Sequence, residues 1–118
     1  MPQFMLLIRS DDDATITPEQ SRAIVEHYMA WARKLQSENR MRGGDELAAG
    51  GKTLVGNGSE VRIMDGPYAE TKETIGGYFL IEADSEAHAV EIAKECPALR
   101  PGSTSAVEVR AIVDHSGS

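Results

Sequence analysis

The chain has little of what marks several large classes of protein. It carries one cysteine, Cys96, in 118 residues, so no internal disulfide can form and a secreted disulfide scaffold is excluded. Cys96 precedes Pro97 at the expected end of a helix and reads as a buried, inert thiol. Basic residues are scarce: 12 Lys and Arg stand against 19 Asp and Glu, for a formal net charge of -7. Such a surface does not neutralise phosphates, so nucleic acid is not an expected partner. No apolar run approaches the ~20 residues that cross a bilayer, and no membrane partner is expected either. Met1 to Ile8 lacks a basic stretch, and its apolar run is too short for a signal peptide. A first strand and a cytoplasmic location are the expectation. Hydrophobic content of 41% and a length suited to one core predict a single domain over residues 1–114, with 115–118 a flexible tail.

What is present has a clear order. Phe4 to Ile8 is a continuous apolar run that suits a strand covered on both faces. Thr17 can cap a helix, Pro18 fits its first position and Gln20 can close a capping box. Ile24, Tyr28, Trp31, Ala32 and Leu35 then form one amphipathic face running to about Glu38. The runs Lys52 to Gly56 and Ser59 to Met64, joined at Asn57-Gly58, predict a hairpin with a type I′ turn. Gly76-Gly77 opens a further strand, Tyr78 to Ala83, and these glycines are expected to allow close backbone approach. Asp84-Ser85 offers a cap for a second helix through about Glu95, with Ala89, Ile92, Ala93 and Cys96 facing inward. The alternation from Ala106 to Val113 predicts a last strand.

The order β, α, β-hairpin, β, α, β is an α+β plan of ferredoxin-like type: two helices on one face of an antiparallel sheet, with one extra hairpin strand. Strand one and the Tyr78 strand are apolar on both sides, so the second face needs a cover. A second copy, in an isologous homodimer, is the economical one.

Two groups of residues carry candidate chemistry. His27 lies roughly 75° from the centre of the first helix's apolar face, on the boundary between core and solvent. It is either a general acid or base or a histidine that merely satisfies a loop carbonyl. Asp65 follows Val61 and Ile63 at period two, at a strand end where Gly66-Pro67 turns the chain away. It can orient an imidazole or cap its own turn, and the two roles are compatible. Tyr68 packs either into the core or onto the floor of a ligand site. Glu70 and Lys72, with Glu73, either line a polar pocket or face water. His27, His88 and His115 fall in different elements, no HxxxH or CxxC spacing occurs, and no GxGxxG or P-loop follows a strand. No metal and no cofactor are therefore expected.

The run Asp65-Gly66-Pro67-Tyr68-Ala69-Glu70-Thr71-Lys72-Glu73, leading into Thr74 to Glu82, closely resembles the signature of the YCII-related (DGPF) family, with Tyr68 where the name has Phe. His27-Tyr28-Met29-Ala30-Trp31 is similar to that family's His-Met-Ala-Trp helix pattern, with either one residue inserted or His27 shifted by one position. The resemblance implies a dimeric α+β barrel. It also implies a histidine and aspartate dyad, here His27 as acid or base and Asp65 as its orienting partner, with Tyr68, Glu70 and Lys72 around a ligand. The substrate stays open, since most members are uncharacterised. The leading expectation is a small cofactor-free enzyme acting on a small organic molecule in a cleft between the helices and sheet of a dimer. The alternative is a non-catalytic ligand-sensing or regulatory module linked to sigma-factor-dependent transcription, and a third reading makes the loop purely structural.

Overall fold

In the computed structural model, residues 1–11, 17–66, 73–100, 103 and 105–115 are described. The elements run β1 (Gln3–Asp11), α1 (Pro18–Ser37), β2 (Met41–Glu46), β3 (Lys52–Asn57), β4 (Glu60–Asp65), β5 (Glu73–Glu82), α2 (Glu86–Ala93) and β6 (Ala106–Ala111), with a 3-10 turn at Pro97–Leu99. β2, β5, β1 and β6 lie side by side in that order, each antiparallel to its neighbour. Each helix connects two parallel strands that have one strand between them. This is the ferredoxin-like α+β plan, with the β3–β4 hairpin inserted as a separate two-stranded sheet.

Local chemistry sets both ends of α1. The Thr17 hydroxyl accepts from the Gln20 amide at 3.1 Å, and the Gln20 side chain accepts from the Thr17 amide at 2.9 Å. At the other end Asn39 turns left-handed at φ 57, its amide donates to Gln36 and the Arg40 amide donates to Leu35. That is a Schellman closure, with Asn taking the position glycine usually holds. α2 starts where the Ser85 hydroxyl accepts from the His88 amide at 3.1 Å.

The core lies between the helices and one face of the four-stranded sheet. Phe4, Leu6 and Ile8 of β1, Phe79 and Ile81 of β5, Trp31 and Leu35 of α1, and Ala89, Ile92 and Ala93 of α2 are all buried in it. Cys96 is buried as well. Strand alternation puts Met5, Leu7, Tyr78 and Leu80 on the opposite face, in register as Met5↔Leu80 and Leu7↔Tyr78, and there they are only half-buried. Ion pairs flank this apolar centre: Arg9 with Glu108 at 2.9 Å and Arg42 with Glu82 at 2.7 Å.

Two local expectations are corrected. Met41–Glu46 is a strand that the sequence pattern does not predict, and it takes the sheet position expected for the hairpin. Gly44 accounts for the close fit against β5: a Cβ there would stand 2.9 Å from Phe79 Cδ1 and 2.9 Å from the Tyr78 carbonyl oxygen, whereas one at Gly43 would meet only Leu80 Cβ at 3.9 Å. The hairpin turn falls on Gly58-Ser59 rather than Asn57-Gly58, since Asn57 pairs with Glu60. Gly58 has φ 64 and Ser59 is not left-handed, which fits type II′ and not type I′.

Candidate functional site

A cavity of ≈ 510 Å³ opens between α1 and the β2–β5 edge of the sheet. Ser21, Val25, Met29, Ala32 and Gln36 line it from the helix, spaced by three or four residues along one stripe. Ile8 and Phe79 come from the sheet, and Tyr28 stands beside Phe79 with ring centroids 6.1 Å apart and planes 10° from parallel. Trp31 meets the same Phe79 ring edge-on at 4.8 Å. This three-ring group fixes one wall of the cavity against the core. The Trp31 indole N–H is buried without a hydrogen-bond partner among the described residues.

Glycines make the room. Gly44, Gly76 and Gly77 all line the cavity, and a Cβ at Gly77 would stand 3.1 Å from the Asp45 carbonyl oxygen. Gly76 is the residue skipped in the β1–β5 register, and its carbonyl accepts from the Leu47 amide at 2.9 Å. The expectation of close backbone approach holds at Gly77.

The polar part of the lining is small. Burial pushes the Tyr28 phenol well above its ordinary value, helped by its hydrogen bond to Cys96 and by the Glu46 carboxylate, with Arg100 opposing. Tyr28 is thus a neutral hydroxyl at physiological pH, near a Cys96 thiol that burial in turn pushes up. A thiol of that kind is a packing group and not a nucleophile.

The residues singled out by sequence fall elsewhere. His27 is exposed on α1, roughly 140° around the helix from the cavity stripe at 100° per residue. Asp65 is exposed at the end of β4 and pairs with Lys52 across the hairpin. At its base the hairpin is closed by the Gly66 amide donating to Gly51 at 2.9 Å and the Thr53 hydroxyl donating to the Gly66 carbonyl at 2.6 Å. Neither His27 nor Asp65 lines the cavity, and no hydrogen bond joins them among the described residues. Tyr68, Glu70 and Lys72 lie outside the described residues. Among the described residues no group of three His, Cys, Asp or Glu side chains converges as a metal site would require. No helix of the described residues is long and apolar enough to cross a membrane.

The YCII-related domain matches residues 2–113, nearly the whole of a chain whose sheet order and helix placement have just been described. The chain belongs to the YCII-related family. A curated relative, an uncharacterised protein of Rhizobium meliloti (strain 1021), is 41% identical over 58 residues. That stretch covers 49% of this chain and 46% of the relative, so the match spans less than half of that protein's length. Sequence reasoning expected a cleft between helices and sheet in this YCII-related domain but missed the residues that line it, though one signal was visible. Val25, Met29, Ala32 and Gln36 repeat at i, i+4, i+7 and i+11 beside the main apolar stripe, widening the helix face beyond what the core alone uses.

Proposed function

We propose that this YCII-related domain is a homodimeric receptor for a small organic molecule, bound in the cavity between α1 and the β2–β5 edge. The observation that carries the reading is the cavity itself. Its size falls within the ~300–1,000 Å³ of small-molecule sites, its walls are chiefly apolar and aromatic, and its few polar groups suffice to fix an orientation. The dimer is supported by the half-buried Met5, Leu7, Tyr78 and Leu80 on the open sheet face. Two such faces packed together make the dimeric α+β barrel.

In the fuller, enzymatic reading, His27 acts as general acid or base on the bound molecule and Asp65 orients its ring, with Tyr68, Glu70 and Lys72 contributing from the loop. The Asp65–Glu73 signature supports this. Within one chain Asp65 faces Lys52, so the pairing has to be made between copies, the hairpin of one reaching α1 of the other. The regulatory alternative has one specific observation in its favour. Leu54, Val61 and Ile63 are 62%, 64% and 68% exposed on a single face of the hairpin, a surface that a protein partner could also take.

Binding is tested by NMR titration of the wild type and of Val25→Trp with small aromatic compounds. Val25 is 45% exposed at the mouth, so the bulky ring fills the entrance without entering the core. Loss of binding in the variant with an unchanged melting temperature supports the cavity; equal binding in both proteins rejects it. For the acid–base pair, the double variant His27→Cys with Asp65→Cys is oxidised and run without reductant. A crosslinked dimer supports the pairing, whereas a chain that stays monomeric on the gel counts against it.

A further inference from the structure

We infer that the ligand is an organic cation, a protonated amine on an apolar or aromatic body, with Glu46 as its counter-ion. This rests on the reading of the cavity as the ligand site, and three features of the lining carry it further.

The first is the sign of the charge. Asp45 and Glu46 are the charged residues of the lining, and among the described residues no Lys, Arg or His contributes to it. Gly44 pairs with Phe79, Asp45 with Tyr78 and Glu46 with Gly77, so alternation puts Glu46 on the helix-facing side with Phe79 and sends Asp45 to the other. Glu46 is therefore the charge on the cavity side. The carboxylates of Glu108, Glu95, Glu82 and Asp65 each have a basic partner, and Glu46 has no ion pair among the described residues. An anionic ligand would meet Glu46 with no cation to offset it; Arg100 acts on Tyr28 from outside the lining.

The second feature is the stacked wall of Tyr28 and Phe79. Aromatic faces carry negative electrostatic potential, which attracts a cation and is indifferent to a neutral group of the same shape. The third is the apolar remainder, Ile8, Ile24, Val25, Met29 and Met41, which suits a hydrocarbon body and leaves the charged end to Glu46.

The test uses three probes with one shared body: phenethylamine, phenethyl alcohol and phenylacetate. Each is titrated by NMR into wild type, Glu46→Gln and Val25→Trp. Glu46 is exposed at a strand end, so the isosteric amide leaves the fold intact. The amine is expected to bind wild type about tenfold more tightly than the alcohol, the combined effect of one carboxylate and one aromatic wall, and the carboxylate most weakly. In Glu46→Gln the advantage of the amine should shrink to about threefold or less, and high salt should shrink it further in wild type. If alcohol and amine bind wild type equally, or phenylacetate binds best, while Val25→Trp binds none of them, the cation inference is overturned and the cavity reading survives. If Val25→Trp binds all three as wild type does, or wild type binds none, the cavity reading falls and the inference falls with it.

Discussion

Replacing Gly44 with alanine puts the fit of the sheet to a direct test. Gly44 sits opposite Phe79 where β2 pairs with β5, and an added Cβ meets Phe79 Cδ1 at 2.9 Å, the Tyr78 carbonyl oxygen at 2.9 Å and Met41 Cε at 3.0 Å. The Met41 methyl ends a flexible side chain and can move aside cheaply. The other two cannot. Phe79 is clamped between Tyr28 and Trp31, and the Tyr78 carbonyl belongs to the central backbone. Overpacking of this kind costs about 1–3 kcal/mol. Alanine returns part of that, about 0.5–1 kcal/mol, because it loses less backbone entropy in a strand than glycine does. The net expectation is a loss of about 1–2 kcal/mol, or roughly 4–8 °C in Tm for a domain of this size. Gly43→Ala is the control one residue away, since its Cβ would meet only Leu80 Cβ at 3.9 Å. Gly56→Ala is a second, with nothing within 4 Å and no left-handed φ to lose. Urea unfolding of the three variants, with m values unchanged from wild type, gives the comparison. If Gly44→Ala lies within about 0.5 kcal/mol of Gly43→Ala, the close fit is not what selects glycine there and the account of β2 is wrong.

Arg9, then Arg110, hold the Glu108 carboxyl below its ordinary value, so this contact stabilises the fold above the unfolded-state carboxylate range near ~4.3 and is lost as pH falls through the lower folded-state value. Glu108→Gln should therefore flatten the fall in Tm between about pH 5 and 3, and an unchanged acid limb would refute the assignment. Lys34 is raised by its hydrogen bond to Glu95, which ties α1 to the end of α2; that contribution is complete below the free-lysine value and disappears as pH rises through the raised one. Lys34→Met should remove an alkaline loss of stability above about pH 10.5 and change little at pH 7, which a pair of thermal melts would show. Leu54→Lys with Ile63→Glu should leave the chain's own stability within about 0.5 kcal/mol, because both side chains face solvent in the single chain and the two new charges are opposite in sign across the strand pair. Light scattering that returns a dimer for wild type and a monomer for this variant would place the hairpin in the interface, and a dimer for both would remove it.

How much of this could be read from the sequence depended on how local the cause was. Both helices announce themselves because their ends are set by neighbours within four residues: Thr17 with Gln20, and Ser85 with His88. β1 and β5 are legible as apolar runs, and β6 by its alternation. β2 is not. Met41-Arg42-Gly43-Gly44-Asp45-Glu46 has neither period two nor β-branched residues, because what makes it a strand is a close fit against Phe79 and Tyr78, residues more than thirty positions away. With β2 invisible, the hairpin was assigned the place it vacated. The site followed the same rule. The helical half of the cavity left a trace in the spacing of Val25, Met29, Ala32 and Gln36, while Glu46 looked like one more surface acid until the sheet turned it toward Phe79. The Asp65–Glu73 motif was legible as a family mark, and a family mark states no geometry. That is why Asp65 could be named in advance while its neighbour in this chain, Lys52, could not.

The charge distribution bears on how two copies of so acidic a protein could meet. A formal charge of -7 on each chain opposes association, and a homodimer needs a patch where that repulsion is absent. The open sheet face comes near to that condition. Around Met5, Leu7, Tyr78 and Leu80, the carboxylates of Glu82 and Glu108 are both paired within the chain, by Arg42 on one side and by Arg9 and Arg110 on the other. Asp45, which alternation places on the same face as Tyr78, has no ion pair among the described residues, so three guanidinium groups stand against three carboxylates and this face is close to neutral on a molecule that is otherwise negative. Its apolar centre can therefore meet its own copy with the rim acids Glu82 and Glu108 already paired, Asp45 being the carboxylate left to solvent. The hairpin differs: Lys52 and Asp65 close one end of its apolar face, and among the described residues of β3 and β4 Leu54, Val61 and Ile63 share that face with no other charged side chain. A two-stranded ribbon is marginal in water on its own, so a surface that covers this face also stabilises the segment that carries Asp65. Association through the sheet would bring two such ribbons into the same assembly, and ordering them would couple the position of Asp65 to the dimer.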